Sequence, residues 1–243
     1  MVIEMNGKTV SMDEVKQWRA ERVKCVLKKL KHAPISTADP DAMVEKLAEI
    51  KLQYSYEQML KMLGPDIKKC NAITKMVVAL SGKKRRYAVV QITADGIGAE
   101  KVLREYEKTQ MVNCREHDQV NMNACPDHYV LRATGENSLE VIETCGNNPF
   151  ISQFFIRYGD ETGLTVPRDH EYPYQSAGIA VFPDGKIQGG VRHQFKDTET
   201  GFTAKLTVEF PGKTPAATIL QHQMHLASEF SYWFQWVLDN RND

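Results

Sequence analysis

AGIAVFPDGKIQGGVRHQF (177–195) places two runs of aromatic, β-branched and small residues on either side of Pro183-Asp184-Gly185. That tripeptide supplies a turn residue wherever a hairpin needs one, so the stretch predicts two antiparallel strands. In the second run Ile187, Val191, His193 and Phe195 share a parity, while Arg192 and Gln194 take the other face. FTAKLTVEF (202–210) alternates more cleanly, with Ala204, Leu206, Val208 and Phe210 on one side and Lys205, Thr207 and Glu209 on the other. Together they predict an antiparallel meander with one buried face. Pro211-Gly212 ends it, and a helix is expected from Thr214 to about Asp239. Neither the one-sided sheet nor an amphipathic helix buries its stripe alone, so the helix should cross the apolar face of the sheet. The expected class is α+β: an N-terminal helical region, then an antiparallel β-meander packed against a long C-terminal helix.

Upstream the period is helical. Ser11 and Glu14 form a capping box, opening a helix to about Lys31. Asp39-Pro40 opens a second, running towards Gly64. After Pro65-Asp66, residues Ile67, Cys70, Ile73, Val77 and Leu80 predict a third helix, closed by Gly82. Residues 1–82 thus read as a basic helical region and 83–243 as an α+β domain. Between them and the meander, YAVVQIT (87–93) and HYVLRAT (128–134) read as strands. GAEKVLREYEKT (98–109), SLEVIETC (138–145) and NPFISQFFIRYG (148–159) read as helices.

Hydrophobic residues make up 42% of the 243 and charged residues 26%, which excludes a disordered chain. The longest apolar runs fall far short of the roughly 20 residues of a membrane span. The N-terminus lacks the order of a secretion signal, so cytoplasm is the expectation, with no membrane partner. Five cysteines, an odd number scattered along the chain, read as reduced thiols. The formal net charge of zero hides an asymmetry: through Arg86 there are 18 Lys+Arg against 10 Asp+Glu, and 13 against 21 thereafter. Such halves can dock on each other, or the basic one can attract nucleic acid.

Several stretches carry candidate chemistry. In QHQMHLASEF (221–230), His222, His225 and Glu229 lie within two helical turns, on a face shared with Tyr232 and Trp236. That face is roughly 145° from the apolar one of Ile219, Leu226, Phe230, Phe234 and Val237. The trio is expected to look towards water, another subunit or the N-terminal helices. Imidazoles one turn apart with a carboxylate beyond can chelate a metal, but no fourth ligand accompanies them. Tyr232 and Trp236 suggest a homo-oligomer contact.

CREHDQVNMNACPDH (114–128) holds Cys114-x-x-His117 and Cys125-x-x-His128, two thiolate–imidazole pairs suited to zinc if turns bring each pair together. Cys125 with His128 also reads as a nucleophile and its base. RDHEYPY (168–174) offers His170 with Asp169 or Glu171 as an acid–base pair in a loop. His193 is the polar residue that strand alternation aims at the core, beside Gly189 and Gly190, where a ligand or a bulge can come close. DGIGAEKVL (95–103) puts free amides at a helix start, as a local turn also would. YEQMLKMLGPDIKKCNAITKMV (56–77) has the layout of a helix-turn-helix.

The function these features favour is a small-molecule-binding enzyme of hydrolytic or acid–base chemistry. It would work in a pocket between sheet and helix through His193, His170, Cys125 and His128. The alternatives are a ligand-sensing nucleic-acid-binding regulator with a basic N-terminal region, and a non-catalytic subunit-forming protein. Zinc is the cofactor the residue types suit.

Overall fold

The computed structural model describes residues 1–240, which form six helices and one nine-stranded antiparallel sheet. In chain order the elements are β1 (Val2–Met5), β2 (Lys8–Val10), α1 (Met12–Lys29), α2 (Pro40–Lys51), α3 (Tyr56–Ser81), β3 (Arg85–Asp95), α4 (Ala99–Met111) and α5 (Arg115–Ala124). There follow β4 (His128–Gly135), β5 (Ser138–Glu143), β6 (Ser152–Tyr158), β7 (Tyr174–Val181), β8 (Ile187–Asp197), β9 (Gly201–Pro211) and α6 (Ala216–Asp239). The strand order is β2-β1-β3-β9-β8-β7-β6-β5-β4. The fold is α+β, with the β7–β8–β9 meander at the centre of the sheet and α6 across its apolar face.

The local signals act as their chemistry requires. Ser11 Oγ accepts the Glu14 amide at 3.2 Å and Glu14 Oε2 accepts the Ser11 amide at 2.8 Å. Asp39 caps α2 ahead of Pro40. Gly185 closes the β7–β8 turn at φ +82°, a conformation a side chain rarely adopts. At Gly189 a Cβ would stand 2.1 Å from the Glu209 carbonyl oxygen. The neighbouring strand thus comes close at Gly189, and Gly189 and Gly190 also border a cavity between the sheet and its helices.

Three sequence expectations are corrected. Residues 138–143 and 152–158 are strands, not helices. In β5, Leu139 and Val141 face one side and Ile142 the other, so burial on both faces hides the alternation. The helix-turn-helix at 56–77 does not exist: α3 runs continuously through Gly64 and Pro65, because its Ser55–Gln58 capping box and buried Met59, Leu63 and Ile67 define one helix. The hairpin β1–β2, which the sequence reading passed over, extends the sheet beside β3.

Two cores result. The larger lies between the sheet, α4 and α6, around Phe195, Phe202, Phe230 and Phe234. The smaller joins α1, α2 and the first half of α3 to Tyr129, Ile142 and Ile151. The far half of α3 extends over the sheet near β6, β8 and β9, and the space it leaves there is a cavity.

Candidate metal centre and its cavity

The cavity has a volume of about 440 Å³ and lies between the sheet, α3, α4 and α6. Its walls are mainly apolar: Leu131, Leu139, Val141, Phe154, Ile156, Phe230 and Trp233 among them. At one end stand His128, Glu143, Glu229, His193 and His222.

Four of the polar side chains converge in two pairs. His128 opens β4, Glu143 closes β5, and the two are direct cross-strand partners, so their side chains leave the sheet on one face. His225 and Glu229 are one turn apart on α6 and share a face by helical geometry. His128 Nε2 lies 3.1 Å from both Glu229 Oε2 and His225 Nε2. His225 Nε2 is 3.5 Å from Glu143 Oε2 and 3.5 Å from Glu229 Oε2, and His128 Nε2 is 3.9 Å from Glu143 Oε2. Four donors about 2.0–2.1 Å from one ion stand about 3.3 Å apart in a tetrahedron. Five of the six edges of this set are 3.1–3.9 Å.

The tautomer of His128 sharpens the point. Its Nδ1 is 2.8 Å from the Asn121 carbonyl oxygen, which only accepts, so Nδ1 carries the proton. With that proton on Nδ1, the neutral form of the ring would present a lone pair at Nε2 to a carboxylate oxygen and to a second imidazole nitrogen. Acceptor faces acceptor unless a proton or a cation lies between them. The donor set of two imidazoles and two carboxylates fits a divalent ion such as zinc, and the carbonyl behind His128 is the outer partner such a ligand ordinarily has.

Burial and charge set the protonation of this end. Burial opposes charge on His225, but Cys125, Glu143 and Glu229 around it outweigh that and raise its pKa well above the ordinary imidazole value. Burial alone would raise Glu229; His225 and His128 reverse it and hold the carboxyl below its usual range. Burial lowers His193 to about 4 and, with His225 beside it, His222 to about 3, so both are neutral at pH 7. His193 packs edge-on against Phe230 at 4.8 Å and its Nδ1 has no hydrogen-bond partner. His222 stacks on His225 at 4.9 Å.

The other sequence candidates fall in different places. The face of α6 expected to look to water, a subunit or the N-terminal helices is buried: His225 meets the edge of Trp18 from α1 at 6.4 Å. Tyr232 lies under the Arg19 guanidinium at 5.5 Å, and Trp236 meets His117 at 6.2 Å, so both are half-buried by their own chain. Cys125 is buried with its sulfur within 4.8 Å of a ring nitrogen of both His128 and His225, and burial raises its thiol pKa. Cys114 instead caps α5, accepting the His117 amide at 3.5 Å, and His117 Nδ1 bonds the Val112 carbonyl. Cys114 and Cys125 flank the ten residues of α5, about 15 Å of helix, and His117 stands in its first turn, about 12 Å of helix rise before Cys125, so the four do not surround one ion. His170 is exposed, in a loop held by Asp169 to Lys205 and Gln194 on the sheet face opposite His193. The Ala99 amide at the start of α4 is taken by Asp197 at 2.7 Å, so that helix start offers no open anion site.

Sequence reasoning paired His128 with Cys125, which does lie beside it, and with Cys114 and His117, which do not, and it did not single out Glu143. The available signal was parity: Leu139, Val141 and Glu143 alternate inward once 138–143 is read as a strand.

No family model matches the chain. No curated protein matches it. Among the described residues no helix is long and apolar enough to cross a membrane. Among solved structures, the crystal structure of Ara h 8.0201 is similar to 65% of this chain and to the whole of that one, at 10% identity and a TM-score of 0.43.

Proposed function

We propose that the chain is a metal-dependent hydrolase of a small, mainly apolar molecule. The observation that carries this reading is the cluster of His128, Glu143, His225 and Glu229, with five of its six donor separations at 3.1–3.9 Å, at the polar end of an otherwise apolar cavity. A zinc-like ion held there would face the cavity, where it could polarise a carbonyl oxygen and lower the pKa of a bound water. Leu131, Val141, Phe230 and Trp233 would hold the apolar body of the substrate and exclude bulk water. His193, neutral at pH 7 and unpartnered at Nδ1, would hydrogen-bond a polar atom of the substrate or accept a proton from the attacking water.

Elemental analysis of the purified, untagged protein tests the metal, and turnover of p-nitrophenyl esters of increasing acyl length tests the reaction. The expected result is one divalent ion per chain, with an esterase activity lost on chelation and restored by zinc. Absence of bound metal together with no uptake of zinc, manganese or iron(II) in titration would refute the metal reading. A stoichiometric metal without any hydrolysis of such esters would leave a metal-dependent binding protein.

A further inference from the structure

From Ile67 to Ala94 the chain has seven Lys or Arg and no Asp or Glu. Most of this segment is the second half of α3 and the turn into β3. On α3, Ile73, Met76 and Leu80 follow one another at three- and four-residue steps and are exposed by 45%, 61% and 67%. Ile73 and its neighbour Val77 also line the cavity, so the stripe borders its rim. Cations stand at both ends of the stripe. Lys69 is one turn before Ile73 and lies 5.8 Å above the ring of Phe150, another cavity residue. Lys83, Lys84 and Arg86 follow the helix end, all exposed. Lys213, at the same rim, is joined to that end by a bond from its amide to Ser81 Oγ at 2.9 Å. Asp184 answers Lys75 at 2.8 Å, and Arg85 turns inward to Glu209.

An exposed apolar stripe framed by cations needs a partner that is apolar inside and anionic at its surface. Nucleic acid would match the cations but not Met76 and Leu80, whereas an anionic bilayer matches both. We propose that this face of α3, with the turn to β3 and Lys213, docks on an anionic lipid surface and opens the cavity rim towards it. Apolar molecules would then pass from the bilayer to the cavity without crossing water. That last step rests on the reading of the cavity as an apolar-ligand site; the docking itself does not.

Co-sedimentation of the whole protein with phosphatidylcholine vesicles, with and without phosphatidylserine, tests the docking with neither substrate nor metal, so its result is separate from that of the hydrolase assay. Binding is expected on the phosphatidylserine vesicles and should weaken as salt rises. Both Lys83→Glu/Lys84→Glu and Met76→Glu/Leu80→Glu should reduce it by about tenfold or more, on the scale of single charges at a membrane surface. All four positions are exposed, and an unchanged far-ultraviolet circular dichroism spectrum and melting temperature would show that the variants fold. Failure to bind phosphatidylserine vesicles overturns the proposal. So does loss of binding with the lysine changes alone, which would mark a general polyanion site.

Discussion

Cys114-x-x-His117 and Cys125-x-x-His128 have the same residues at the same spacing and end in opposite circumstances. The first sits at the start of α5, where the sulfur accepts one backbone amide and the imidazole bonds a backbone carbonyl. The second follows the end of α5, where the chain enters the sheet and α6 packs across it. There His128 meets Glu143 from the next strand and two side chains from a helix 97 and 101 positions further on. A local motif therefore supplies donors but not a site. What makes the second pair chemically different is the strand register and helix placement that bring other donors to it.

The largest effect should be on metal content. His225→Ala and His128→Ala should each abolish stoichiometric zinc, a greater loss than the roughly 10–100-fold fall in affinity that outer-shell changes cause. His117→Ala should leave it unchanged. Elemental analysis of the three variants side by side measures the contrast, and loss of zinc from His117→Ala would erase the distinction between the pairs.

The second pair is also the better anchored. Arg22 clamps Asp127 through two bonds of 2.8 and 2.9 Å, both side chains almost wholly buried, and also bonds Asn147. Removing one member of a buried pair strands the other, at a cost of about 3–5 kcal/mol. Arg22→Ala should lower the melting temperature by roughly 6–20 °C, taking about 2–4 °C per kcal/mol for a chain of this size. Glu116→Ala, in the exposed first turn of α5, should cost less than about 1 kcal/mol by removing a carboxylate from a helix start. Thermal melts of the two distinguish an anchored segment from a loose one.

These two contrasts also show what was legible in the sequence. The meander and α6 could be read because turn residues and single-sided alternation are local properties. So could half of the candidate site, since His225 and Glu229 are joined by helical spacing alone. The other half was not legible. His128 and Glu143 meet only through the β4–β5 register, and β5 concealed itself because Leu139, Val141 and Ile142 are buried on both faces. The burial of His225 was hidden for a related reason: the side of α6 away from its apolar stripe is covered by α1 and α5, and no period within α6 reports that.

A smaller effect is expected one layer out from the donors. Lys51 of α2 is buried and gives its Nζ to the carbonyls of Pro126 and His128 at 2.6 and 2.5 Å, holding the backbone from which the His128 ring projects. Lys51→Met keeps most of the volume and removes both bonds. Zinc affinity should fall by about 10–100-fold, as for other outer partners of a ligand, while stoichiometric binding at saturating zinc persists. Competition with a chelator of known affinity reads the difference; an unchanged affinity would mean that β4 alone holds His128.

The smallest effect should have the opposite sign. Cys114 occupies a cap position where a hydroxyl performs better than a thiol, since sulfur is the weaker acceptor and stands 3.5 Å from the amide it serves. Cys114→Ser should therefore stabilise the fold, by about 0.5–1 kcal/mol, with no change in bound metal. Cys125→Ser places a hydroxyl in a fully buried position beside His225, where the thiol is the less costly group to bury, and should destabilise by about 1–3 kcal/mol. Urea unfolding of the two serine variants then gives shifts of opposite sign from one substitution made in two copies of one motif. Shifts of equal sign and size would mean that the two thiols share a role after all, and that the motif itself carries more of the chemistry than its surroundings do.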